Sequence, residues 1–187
     1  ERQTLCGGRA VYEACVKLKQ DLDSRPWQPG EERRAEYYYA CDPCFAIGDF
    51  EGAKKRGAKY RNFPAYAYAT QAAIVEVDRE TGEVRLLKVI AAHDVGRAIN
   101  PHIIEGQMHG SCSMGQGYAL TEGYPTKNGY PVKTLYRQLG LPRAEDTPDY
   151  EIILIEDPEP QGPFGAKGIS EVATVPVTPA ILNAVSR

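Results

Sequence analysis

"YATQAAIVEVD" (residues 68–78) and "EVRLLKVIAAHD" (83–94) are joined by the four residues "RETG" (79–82). Both runs are rich in strand-favouring residues, and a short polar connection containing Gly reads as the turn of a long antiparallel hairpin. Asn100-Pro101 follows, with Asn as a good N-cap and Pro favoured at the first helical position. The pair opens a predicted helix, "PHIIEGQMHGSCSMGQGYAL" (101–120), that carries Gly106, Gly110, Gly115 and Gly117. Each interior glycine costs about 1 kcal/mol relative to alanine, so close packing on another backbone or a large rigid ligand must offset them. Hairpin and glycine helix together set the reading of the rest.

Upstream, "RAVYEACVKLKQDL" (Arg9–Leu22) places Val11, Ala14, Cys15, Leu18 and Leu22 on one face at helical spacing. The polar, proline-bearing "DSRPWQPGEERR" (23–34) reads as a linker, and "AEYYYACDPCFAIGDF" (35–50) as a tyrosine-rich strand candidate. "AKKRGAKYRNF" (53–63) is a basic run of the kind that forms a solvated loop or meets an acidic partner surface. Downstream, "YEIILIED" (150–157) is a further strand, and Thr178-Pro179 caps a short final helix, "PAILNAVSR". The sum is an α+β unit over residues 1–187, with no obvious sequential βαβ order.

The sequence of 187 residues is 42% apolar and 25% charged, which are globular values. A net charge of −3 leaves no electrostatic footprint for nucleic acid. No apolar run approaches the ~18 residues of a membrane span. The start shows no signal peptide. Five cysteines, an odd number, argue against a secreted disulfide framework and for a reducing, cytoplasmic setting. Cys41-Asp-Pro-Cys44 lacks a second ligand pair, so structural cysteines are the better reading than zinc or a redox couple.

The remaining question is "GPFGAKGISE" (Gly162–Glu171), with three glycines and a lysine leading into a glutamate. Glycines let a backbone come close to something bulky, and a lysine among them suggests an anion. The phosphate-loop pattern fails, because Lys167 is followed by Gly168 and not by Ser or Thr. What remains is a glycine-bounded turn able to aim Glu171 at a bound group. On residue type alone, Glu171 reads more readily as a helix-start carboxylate or a surface acid.

Taken together, three segments resemble one family. "AAHDVGRAINPHIIEGQMHGSCSMGQGYALTE" (91–122), "GPFGAKGISE" and "GGRAVYEAC" (7–15) are similar to stretches of the molybdenum hydroxylases, the xanthine dehydrogenase and aldehyde oxidoreductase group. The resemblance is to the C-terminal part of the molybdenum-binding subunit. It implies an α+β molybdopterin-binding fragment with a long hairpin and a cofactor-facing glycine helix. It further implies hydroxylation of an electron-poor carbon, in an N-heterocycle, purine or aldehyde, with oxygen from water.

Residue by residue, the resemblance assigns Glu171 as general base. Lys167, Gly168, Ile169 and Ser170 form the stretch passing metal and pterin, and Gln107 is the pterin-bonding glutamine. Arg2, Gln3 and Thr4 fall on a cofactor-approaching loop, where Glu1 departs from the usual Ser; Ser170 likewise stands where many relatives have Gly. The metal needs no protein ligand, since the pterin (molybdopterin, or its cytosine dinucleotide) supplies the dithiolene. Implied partners are a chain carrying the rest of the subunit, an iron–sulfur subunit, a subunit holding FAD and a small-molecule substrate. The weighed alternatives are a catalytically silent assembly or cofactor-insertion subunit, and an unrelated nucleotide-binding module.

Overall fold

The structure is a computed structural model that describes residues 2–187; Glu1 lies outside the described residues. The chain starts in a π-helical turn, Gln3–Gly7, which runs without a break into helix α1, Gly8–Ser24. Such π turns occur often at functional sites. The predicted apolar face of α1 is present, yet α1 buries none of its residues, and Val11 is 65% exposed.

Residues 31–46 carry no regular secondary structure, which corrects the expectation of a tyrosine-rich strand over 35–50. A strand needs a partner for its backbone groups, whereas here Tyr39 donates its hydroxyl to Gln161 Oε1 (3.0 Å) and Tyr38 stands in solvent. Among the described residues, the segment's one ladder-like bond is from Phe45 N to Arg61 O (2.9 Å). A short helix α2 covers Phe50–Lys55 and leads into the basic run, capped by the Asp49 side chain accepting from Gly52 N.

The hairpin forms as read. β1 (Ala69–Val77) and β2 (Val84–Asp94) pair antiparallel from Ala69↔His93 to Val77↔Val84, with a bulge at Ile74/Val75. Helix α3 then spans Pro101–Leu120, its N-terminus capped by Asn100 Oδ1 accepting from Ile103 N (3.2 Å). A two-residue ribbon, β3 (Thr126–Lys127) with β4 (Tyr130–Pro131), precedes β5 (Asp149–Ile155). β5 pairs parallel with β2, giving the order β1-β2-β5. The β2–β5 connection contains α3, so one helical crossover joins parallel strands where no βαβ order was expected.

α4 covers Val177–Val185. It starts earlier than Thr178-Pro179 suggested, and Thr178 does not cap it. The Thr178 hydroxyl instead donates to Gly115 O of α3 (2.8 Å). α3 and α4 cover one face of the sheet, and Leu86, Val89, Ala91, Met108, Cys112, Ala173, Val177 and Ile181 form the core between them.

The glycines of α3 divide into two kinds. A Cβ on Gly115 would lie 1.8 Å from Val177 Cγ1, so that glycine lets α3 and α4 touch. A Cβ on Gly106 or Gly110 would meet nothing within 4 Å. Those two lie on the open side of the helix, with Ile103, Gln107 and Met114 exposed beside them.

Candidate functional site

The segment Gly162–Glu171 is stitched into the molecule from three sides. Gly162 is required for its tight turn, since a Cβ there would lie 2.0 Å from Ala166 O. Pro163–Gly165 form a single 3-10 turn in which Phe164 takes a positive φ of 54°. Phe164 pays for that strained backbone by packing edge-on against Tyr12 of α1 (4.8 Å). The loop also bonds the turn after β2, with Lys167 N donating to Val95 O (3.1 Å) and Arg97 N to Gly165 O (2.9 Å). Gly96 must be glycine there: its φ is +66° and a Cβ would lie 2.4 Å from Gly165 O.

The lysine's anion is the protein's own. Lys167 Nζ donates to Asp94 Oδ2 (2.5 Å) and reaches Asp157 Oδ2 at 3.4 Å. Both Lys167 and Asp94 side chains are 6% exposed. Burial alone would lower the ammonium's pKa, but the hydrogen bond and charge of Asp94, joined by Asp157, leave it raised. Asp94 also accepts from Gly96 N through Oδ1 (3.0 Å), so one carboxylate holds both the turn and the lysine. Lys167 therefore contributes its backbone, and not its charge, to the surface of the loop.

Two cavities flank this backbone. One, of about 290 Å³, is lined by Lys167, Gly168, Ile169 and Ser170, by Thr4, by Gln107, Ile103 and Ile104 of α3, and by Val95, Arg97, Ile99 and Asn100. The other, of about 680 Å³, is lined by Glu171, Arg2, Leu5, Cys6, Cys41 and Cys44, the segment 62–67, and Val172 and Val175. Lys167 and Gly168 line both and form the wall between them. Of the residues predicted from sequence, Gln3 alone lines neither cavity; its amide folds back over Gly7.

Cys41 and Cys44, read from the sequence as structural, line the second cavity together with Cys6. Cys44 is exposed, and burial of its sulfur, followed by the neighbouring Cys41, raises its pKa. Gln71 and Ser111, which the sequence reading did not single out, hold the loop from behind. Ser111 Oγ donates to Ser170 O (2.9 Å), and Gln71 Nε2 donates to Ala173 O (2.9 Å). The available signal was a glutamine at an inward position of β1, where Ala69, Ala73 and Val75 share its face. Among the described residues, no group of three or more His, Cys, Asp or Glu is placed to ligate one ion, and no helix is long and apolar enough to cross a membrane.

Residues 1–148 match the family model described as the molybdopterin cofactor-binding domain. The chain is 35% identical over 126 residues to the carbon monoxide dehydrogenase large chain of Hydrogenophaga pseudoflava, covering 64% of this chain and 15% of that one. It is 30% identical to the aldehyde oxidoreductase molybdenum-binding subunit PaoC of Escherichia coli O157:H7, covering 94% and 26%. It superposes on quinoline 2-oxidoreductase from Pseudomonas putida 86 with a TM-score of 0.61 at 36% identity, covering 64% and 15%. The chain thus spans at most about a quarter of the length of these relatives.

Proposed function

We propose a function from one premise: this chain belongs to the molybdenum hydroxylases, as part of their molybdenum-binding subunit. It contributes a wall of the molybdopterin site and the general base of an oxidative hydroxylation. The observation that carries this reading is the loop Gly162–Glu171, which presents a backbone surface opposite Gln107 and carries Glu171 to the neighbouring cavity.

The residues present fit a pterin. Among the described residues, the Gln107 amide and the backbone N–H groups of Gly168 and Ile169 make no hydrogen bond, and all three residues line one cavity. Donors and acceptors left open to one cleft suit a flat, polar heterocycle. Gln107 would hold its edge, and Gly168 allows the ring to approach the chain closely. The open helix face at Gly106 and Gly110 leaves room beside Gln107.

When bound, the molybdenum–pterin group supplies Lewis acidity and a two-electron acceptor. Glu171 would accept a proton at its carboxylate as water-derived oxygen attacks an electron-poor carbon, a step that contributes about 10²–10⁴-fold. Arg2, Cys6, Phe63 and Tyr66 would border the substrate on the Glu171 side. Electrons would leave to iron–sulfur and flavin groups on partner chains, and the rest of the subunit would close the site.

The test is Glu171→Gln in the assembled enzyme. Molybdenum and pterin content should stay near wild type while turnover falls at least ~10²-fold. Full turnover at equal cofactor content would remove Glu171 from the chemistry. Cofactor loss from substitutions at both Gln107 and Gly168, and from neither alone, would indicate a shared pterin wall.

A further inference from the structure

We infer that Gln71, oriented by the buried His93, is a positioning residue for Glu171. The inference rests on the assignment of Glu171 as the base. Three carbonyls around Glu171 are held by hydrogen bonds. Ser170 O accepts from Ser111 Oγ of α3 (2.9 Å), and Glu171 O accepts from Thr174 N (3.0 Å). Ala173 O accepts from Gln71 Nε2 of β1 (2.9 Å). The Ser111 and Gln71 bonds come from different elements and bracket the glutamate, so its backbone is fixed relative to both α3 and the sheet.

Gln71 is itself fixed. Its amide nitrogen lies 2.9 Å from His93 Nε2 on β2 and 3.6 Å from Cys112 Sγ. Because Ala173 O must accept, the group facing it is the amide nitrogen, which has only donors to offer. His93 Nε2 therefore accepts the second N–H, which requires an imidazole protonated at Nδ1. His93 is 0% exposed, and burial depresses its pKa, which favours that neutral form. Both donors of Gln71 are thereby used, and its amide cannot turn without losing one. This leaves His93 Nδ1 and Gln71 Oε1 without partners among the described residues, a cost that a purely structural cluster could avoid with apolar residues.

The experiment uses the assembled, cofactor-loaded enzyme. Gln71→Met keeps length and removes both donors. It should lower kcat per bound molybdenum by about 10- to 100-fold, the range for a misplacement of ~1 Å, with KM unchanged. In the same variant, backbone amides 172–174 should exchange hydrogen faster than in wild type. His93→Gln, which restores an acceptor facing Gln71, should keep most of the turnover. Unchanged kcat in Gln71→Met, or a loss of kcat without faster exchange at 172–174, overturns the inference. Glu171→Gln run in parallel separates the two claims. If it is inactive while Gln71→Met behaves as wild type, only the positioning role falls; if it keeps full turnover, both fall.

Discussion

At the scale of single residues, the meaning of Lys167 lies in its partner. In the sequence it reads as an anion-seeking lysine in a glycine loop, yet its ammonium is buried against Asp94. Removing one member of a buried pair strands the other charge, which costs about 3–5 kcal/mol. Lys167→Met should therefore destabilise the enzyme by that amount in denaturant titration, and Asp94→Asn similarly. A loss under 1 kcal/mol in both would mean that the pair holds nothing. Sequence could not show this, because Asp94 and Lys167 lie 73 positions apart and Asp94 is already explained by its Gly turn.

His93 adds a pH dependence at the same scale. Its folded pKa lies below the ordinary 6.5. The unfolded chain then binds more protons between the two values, so stability is fully present above about pH 6.5 and is lost as pH falls through the folded value. Melting temperature should drop as pH falls below about 6.5, and His93→Gln should flatten that drop. An unchanged slope in the variant would exclude His93 as its source. Cys112, fully buried with its pKa pushed to about 11, should resist alkylation in the native protein and react once the chain is unfolded.

Elements were unequally legible. The β1–β2 hairpin and α3 could be read because their signals are local: strand-favouring runs around a tight turn, and Asn-Pro at a helix start. The tyrosine-rich segment 35–50 carries strand-favouring residues too, but a strand also needs a neighbour, and the segment pairs with neither edge strand, β1 or β5. The parallel β2–β5 pairing depends on where α3 carries the chain, which no local pattern states. For α3 itself, the four glycines read as one feature and prove to be two. Gly115→Ala should destabilise by about 1–3 kcal/mol through overpacking on Val177. Gly106→Ala, open on its side, should leave the fold as stable or improve it by up to ~1 kcal/mol, while lowering cofactor content if that face borders the pterin. Thermal melts paired with molybdenum analysis distinguish the two glycines.

At the scale of the whole molecule, α1 buries nothing, and the open side of α3 exposes Ile103, Met114 and Tyr118. The chain spans at most about a quarter of its relatives' length, and those faces are where the remainder of a molybdenum-binding subunit would sit. Expressed by itself, the chain should bind hydrophobic dye and carry no molybdenum. In this arrangement the loop Gly162–Glu171 would separate a pterin surface at Gln107 from a reaction site at Glu171. The arrangement is tested most directly by anomalous diffraction at the molybdenum edge on crystals of the loaded enzyme. A molybdenum peak is expected beside Glu171, with pterin density along Gln107, Gly168 and Ile169. A metal peak remote from that loop would contradict it.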